Sequence, residues 1–160
     1  MTEGAVLVIE LMTVADLNQI QAQSNQFWDD RMPPLLHPMF LNEFGDTAYV
    51  IRDGAQVIAY MFAFYAQTGP YGYIHHVAVR DGRRGYGLAR RLYAHFETAA
   101  RARGCRSIKA ITSTGNHGSI AFHGKMGYAI TGHTEQNGVR VSSTYVSPAA
   151  NRIIFEKVLA

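Results

Sequence analysis

The chain has 160 residues, nearly half of them hydrophobic and 17% charged, with a formal charge of +3. That length and composition suit one folded domain with a sizeable core, residues 1–160, and exclude a disordered or low-complexity chain. Apolar runs are broken every few residues, so no membrane span is expected, and a lone Cys105 excludes an internal disulfide framework or a cysteine-based metal cluster.

The N-terminus lacks the basic, apolar and small-residue layout of a secretory signal, so a cytoplasmic location is expected. Residues Ala5 to Met12 read as an opening strand, because Val6, Val8 and Glu10 alternate with Leu7, Ile9 and Leu11. Thr13 with Asp16 three residues on is a capping-box-like pair that starts a helix. Leu17, Ile20, Ser24 and Phe27 mark its inward stripe. Pro33, Pro34 and Pro38 keep any following helix short, with Pro38 to Phe44 the best candidate. Asp29, Asp30, Glu43 and Asp46 could attract an amine, although exposed acids are more often simply solubilising.

From Thr47 to Ala66 two strands meet at Asp53-Gly54, a strong hairpin signal. Tyr73 to Val79 follows as a third strand after the turn at Gly69, Pro70 and Gly72. Three successive antiparallel strands before the first long helix argue for a mixed sheet, since a doubly wound sheet needs a helix after each strand. Gly85 to Arg103 reads as an amphipathic helix, with Leu88, Leu92, Phe96, Ala99 and Ala100 as its buried stripe. The strand Arg106 to Thr112 should return parallel to Tyr73–Val79. A short helix over Asn116 to Met126 stops at Gly127. Ala129 to Glu135 and Val139 to Val146 form strands around Asn137-Gly138, and Arg152 to Leu159 is the last. The lone Cys105, between helix and strand, reads as a buried structural thiol.

Charge is concentrated. Eight of the fifteen Lys and Arg residues lie between Arg80 and Arg106, opposed there only by Asp81 and Glu97. Such a field suits an anionic ligand, whether polyphosphate or nucleic acid. Gly82-Arg83-Arg84-Gly85-Tyr86-Gly87 precedes the long helix, and successive backbone N–H groups there make an anion cradle. No Gly-Lys-Ser or Gly-Lys-Thr follows, which sets aside a nucleotide P-loop. Arg90 stands where the dinucleotide pattern wants a small residue.

The order of strand, glycine loop, long helix, strand and Asn-led helix, from Gly72 to Tyr128, resembles the acyl-coenzyme A core of the GNAT superfamily of N-acetyltransferases. The resemblance implies an α/β (α+β) fold: a mixed, mostly antiparallel central sheet of about seven strands flanked by helices. It also implies acetyl-CoA as cosubstrate and an amine as acceptor; no metal is expected, since seven histidines without acidic partners at metal-ligand spacing make a poor metal site. Gly85 and Gly87 match the last fixed positions of the family's loop, while Gly82 stands where Gln or Arg is usual. By resemblance, Val77, Ala78 and Val79 would pair through their main chain with the pantetheine arm. The pyrophosphate would rest on the N–H groups of Arg84, Gly85, Tyr86, Gly87, Leu88 and Ala89, with Arg83 or Arg84 adding charge. Asn116 matches the asparagine that opens the later helix, and Ser119, Phe122 and Lys125 lie along its coenzyme side. Asn116 could equally be a simple helix cap.

Acyl transfer to an amine needs a base, because an ammonium has no lone pair. Related enzymes carry a glutamate in the pattern Ile-Glu-x-Ile-x-Val. Here the register reads Ile74-His75-His76-Val77-Ala78-Val79, so His75 takes the glutamate position. A neutral imidazole is a competent base near neutral pH. Alternation puts His76 on the opposite face. His123 stands where the family commonly has a tyrosine that protonates the departing thiolate; it could act as that acid or only position the sulfur. For both histidines the plain alternative is a hydrogen-bonded core residue.

The expected function is transfer of an acetyl group to a small primary amine such as an amino acid, a polyamine or an amine-bearing antibiotic. The alternatives are a protein N-terminal or lysine acetyltransferase and a coenzyme A-binding regulatory domain without catalysis. A nucleic-acid-binding module is set aside, since the Arg-rich helix carries an ordinary buried stripe. The C-terminal strands could pair across a homodimer.

Overall fold

The computed structural model describes residues 6–28, 37–132, 134–147 and 150–160. Asp29, Asp30, Pro33 and Pro34 lie outside the described residues. The chain divides into two compact units: Met1–Phe64 with His75–Phe96, and Tyr65–Ile74 with Glu97–Ala160.

In the first unit, β1 (Ile9–Leu11) pairs antiparallel with β2 (Ala48–Asp53), and β2 with β3 (Gln56–Tyr65). The β2–β3 hairpin turns where expected, with Gly54 at φ 59°, a left-handed conformation that glycine adopts without steric cost. β4 (Tyr71–Val79) is the next strand beside β3 and runs from the second unit into the first. The opening strand is shorter than the sequence alternation predicts, three residues rather than eight.

The first helix, α1 (Val14–Ala22), starts at the predicted capping box. The Thr13 hydroxyl accepts from the Asp16 amide at 3.2 Å and the Asp16 carboxylate accepts from the Thr13 amide at 2.7 Å. Leu17 and Ile20 are fully buried, but the predicted stripe does not continue on one helix. The chain turns at Gln23–Ser24 and Phe27 belongs to a separate turn of helix, α2 (Asn25–Trp28). α3 (Pro38–Phe44) has the predicted bounds, with Pro38 opening it and His37 Nδ1 accepting from the Met39 amide at 3.1 Å. Leu17, Ile20, Phe27 and Leu41 from these helices pack with Val50, Val57, Tyr60, Phe62 and Ala78 from the strands. Each such side chain contributes roughly 1.5–3 kcal/mol by leaving water.

α4 (Leu88–Ala102) begins at the first residue of its apolar stripe, three residues after the expected start at Gly85. Gly85 and Gly87 take φ values of 86° and 76°, which a right-handed helix cannot contain, so both glycines lie in the loop.

In the second unit β5 (Ser107–Ser113) pairs parallel with Tyr71–Ile74 of β4, as predicted, and antiparallel with β9 (Ala150–Val158). β6 (Ala129–Thr131) also lies on β9, and β8 (Val139–Ser147) links β9 to β7 (Thr134–Gln136). The single strand expected over Ala129 to Glu135 is thus two. They part at Gly132, where a Cβ would come within 2.8 Å of the Val141 carbonyl oxygen. Asn137 and Gly138, at φ 51° and 78°, form the predicted tight turn between β7 and β8. α5 (His117–Lys125) completes the unit. The class is the expected mixed α/β one, mostly antiparallel with flanking helices, with nine strands among the described residues rather than about seven.

Candidate functional site

The predicted site residues fall into two groups, one in each unit. The ladder from β4 to β5, in the second unit, ends at Ile74 opposite Ala110, and Val77 and Val79 lie beyond it in the first unit. Ala78 is 9% exposed and belongs to the core cluster, so its side chain anchors the strand and only its main chain could face a ligand.

His75 and His76 correct an expectation. Their ring centroids are 4.7 Å apart, a distance that two residues pointing to opposite faces cannot reach. His76 lies 5.3 Å from the ring of Trp28, and His75 lies 5.8 Å from the ring of Phe64. Trp28 and Phe64 both pack against the helix-side core, on which Ala78 also lies. Both imidazoles therefore turn toward that side, and the regular pleat is broken at this dipeptide. Both are half-buried. Burial lowers the basicity of His75, and burial together with the neighbouring His75 takes His76 down to about 4. Both rings are neutral at pH 7 in consequence. His76 Nδ1 is buried with no hydrogen-bond partner among the described residues.

After β4, the Arg80 side chain is buried. It donates to the Val57 carbonyl at 2.8 Å and to Gln23, and lies 4.9 Å over the Phe27 ring. It is a structural post and not part of an open basic field. Arg83 is half-buried and bound to Asp53 at 2.5 Å, tying the loop to the β2–β3 hairpin. That engagement was not legible, because Asp53 reads only as a turn residue. Arg84 is exposed; it donates to the Phe27 carbonyl at 3.3 Å and the Val79 carbonyl at 3.4 Å, both long contacts, and meets the exposed Asp81 at 2.9 Å. Such a pair is weak, so Arg84 is the loop cation that can be redirected. Gly85, Tyr86 and Gly87 are exposed, Leu88 is buried as the first residue of the helix stripe and Ala89 is half-buried. A Cβ built on Gly85 or Gly87 meets nothing within 4 Å, so the backbone borders open space. The first turn's amides have no intrahelical acceptor, and the bond from the Arg91 amide to the Gly87 carbonyl, 3.0 Å, is where the helical pattern starts. Residues with this geometry fit a phosphate group.

In the second unit Asn116 is exposed and caps α5, its Oδ1 accepting from the Ser119 amide at 3.1 Å. Ser119 and Phe122 are half-buried and Lys125 is exposed. His123 is 5% exposed and stacks on Phe155 with centroids 4.0 Å apart and planes at 5°. Its Nδ1 lies 2.8 Å from the Ser119 carbonyl oxygen, which can only accept. Nδ1 therefore carries the proton and Nε2 is the lone-pair nitrogen. Burial lowers its basicity, with that carbonyl acting in the opposite direction.

Cys105 is half-buried, and burial pushes its thiol up despite nearby Arg103, which suits an inert thiol. Among the described residues no His, Cys, Asp and Glu side chains gather in a group of three that could hold a metal, and no helix is long and apolar enough to cross a membrane.

A family model described as the acetyltransferase (GNAT) family matches residues 14–128. The chain belongs to that family. An L-methionine sulfoximine/L-methionine sulfone acetyltransferase of Pseudomonas aeruginosa is 39% identical over 64 residues, which are 40% of this chain and 37% of that protein. The chain thus spans little over a third of the length of the curated relative it matches, and the Pseudomonas paraeruginosa counterpart matches to the same extent. Among solved structures, Ard1 from Thermoplasma volcanium superposes with a TM-score of 0.77 at 18% identity, covering 98% of this chain and 99% of that one. A chain of the NatC complex bound to Gag peptide and CoA gives 0.74 at 16% identity, covering 98% and 100%. At these identities the GNAT fold is what is shared.

Proposed function

We propose that this GNAT-family chain moves an acetyl group from acetyl-CoA to the primary amine of a small molecule by direct attack in a ternary complex. The observation that carries the reading is the loop after β4: Gly82, Gly85 and Gly87 are left-handed and the latter two border open space, ahead of a 15-residue helix, inside the family match. Bound there, acetyl-CoA supplies the thioester whose carbonyl carbon is attacked. The amides from Arg84 to Ala89 and the Arg84 guanidinium hold its pyrophosphate. Val77 and Val79 offer main-chain N–H and C=O groups to its pantetheine arm, and one of those amides stabilises the developing oxyanion. Arg83, held by Asp53, shapes the loop.

His75 takes the proton from the acceptor ammonium, a role for which its neutral form is required. His123 is poorly suited to the acid role, because its proton sits on Nδ1 against the Ser119 carbonyl. A thiol with a pKa near ~8.5 can leave without an acid. Asn116, Ser119, Phe122 and Lys125 are assigned to the coenzyme side on family resemblance, with Asn116 also the cap. The 39% identity to a relative named for a small amino-acid-like acceptor supports the small-molecule side of the reading. A cytoplasmic setting goes with it.

The test is calorimetric titration with acetyl-CoA of the wild type, Arg84→Ala and Gly85→Glu, with thermal melts to check folding. Micromolar binding weakened in both variants is the expected result. A wild type that binds no acetyl-CoA while folded would overturn the reading.

A further inference from the structure

The histidine dipeptide of β4 does not stand alone on its side of the sheet. Phe64 on β3 lies 5.8 Å from His75 and is itself met by two residues of α3: Phe44 at 5.5 Å and 85°, and Phe40 at 6.2 Å and 65°. On the other side of the dipeptide, His76 meets Trp28 at 5.3 Å. The rings thus form a continuous aromatic run from α3 across β3 and β4 to α2, with the two imidazoles in its middle. At the α3 end the run is open to solvent: Phe44 is 44% exposed, and Met39 on the same short helix is 54% exposed. A short helix that keeps two large apolar side chains outside the core presents a surface suited to an apolar group.

Resting on the proposed role of His75 as base, we infer that the acceptor is a primary amine whose side chain is apolar, and that Phe44 and Phe64 determine this specificity. The amine nitrogen must come within hydrogen-bond reach of His75, so the carbon next to it and whatever that carbon bears meet the rings around His75. Those partners are aromatic, and His76 beyond them is uncharged at neutral pH. Close to His75 a second ammonium, as in a polyamine, would be drawn out of water toward uncharged rings, which is unfavourable; the exposed acids Glu43 and Asp46 flank Phe44 in sequence, at the solvent end of the run. Among the rings themselves, cation–π attraction is the compensation open to it. The edge-to-face packing of Phe40 and Phe44 on Phe64 works against that, because edges and faces of these rings already serve one another. An aliphatic, thioether or aromatic side chain gains from the same surface.

The test measures thiol release from acetyl-CoA with glycine amide, leucine amide, methionine amide, phenylalanine amide and spermidine, alongside acetyl-CoA calorimetry. The expected result is a kcat/KM for the three apolar amides at least ~10-fold above those for glycine amide and spermidine, the size expected for a hydrophobic subsite. Phe44→Ala, at a solvent-exposed position where folding should survive, should collapse the ratio of leucine amide to glycine amide toward one, mainly through KM. Equal turnover of glycine amide and leucine amide, a preference for spermidine, or a ratio untouched by Phe44→Ala would each overturn the inference while leaving the acetyltransferase reading in place. Failure to bind acetyl-CoA would overturn that reading and this inference together.

Discussion

At the residue scale, His75 decides whether the β4 strand is chemical or merely structural. A buried imidazole gives up its proton more easily than an exposed one, because the charged form loses solvation. If the neutral ring accepts the ammonium proton, kcat/KM should fall as pH drops through an apparent pKa below the usual ~6.5 for histidine. His75→Gln should lose ~100-fold or more of the rate and with it that acidic limb. A full-rate His75→Gln enzyme with an unchanged pH profile would exclude the residue as base.

Asp16 is a residue of the opposite kind, shaped for folding. Burial alone would raise its pKa, but hydrogen bonds from Arg52 and from Thr13 outweigh that and hold the carboxyl below 3.8. Arg52 donates to it twice, Nε to Oδ1 at 2.8 Å and Nη2 to Oδ2 at 2.5 Å. A carboxylate with a depressed folded pKa adds stability that is present above its unfolded value and lost as pH falls through the folded one. Arg52→Met should therefore cost ~2 kcal/mol near pH 7. Chemical denaturation should find the gap from wild type narrowing below about pH 4, the unfolded range of aspartate.

Among elements, the legible parts were those with a local signature. The Thr13–Asp16 box, the Pro38 start of α3, the Asp53-Gly54 and Asn137-Gly138 turns and the Asn116 cap all depend on neighbours in sequence, and each stands where the sequence puts it. α4 starts with its stripe at Leu88 and not at Gly85, because the positive φ of Gly85 and Gly87 keeps both out of the helix. The histidine rings were misassigned because alternation assumes a regular pleat, and a pleat can be broken by packing that no local pattern announces. The Arg83–Asp53 pair has no local signature, because its partners are distant in sequence. Asn116 offers a clean test of two roles at one position. Asn116→Ala should cost ~1 kcal/mol through the lost cap, whereas Asn116→Ser should keep the cap. Weakened acetyl-CoA binding in a fully stable Asn116→Ser protein would show that the side chain touches the coenzyme. Unchanged binding would leave it a cap alone.

On the scale of the whole molecule, what the sequence could not reveal is how charge is spent in the interior. Glu97 reads as an acid relieving a basic helix, yet it is 6% exposed. Within the second unit it accepts from Lys157 of β9 at 3.0 Å and 3.2 Å and from the Tyr128 hydroxyl at 3.1 Å, joining parts of the chain far apart in sequence. Tyr128 in turn meets the His123 ring at 5.4 Å, so the network borders the stack of His123 on Phe155. A buried pair contributes little net energy when intact, because desolvation of both charges offsets their attraction, but removing one partner strands the other. Lys157→Met should accordingly destabilise the protein by ~3 kcal/mol. Glu97→Leu combined with Lys157→Met should recover most of that loss. Urea unfolding of both single variants and the double would measure the coupling. A double variant as unstable as the sum of the two singles would mean that packing of the Lys157 stem, and not its charge, is what matters there.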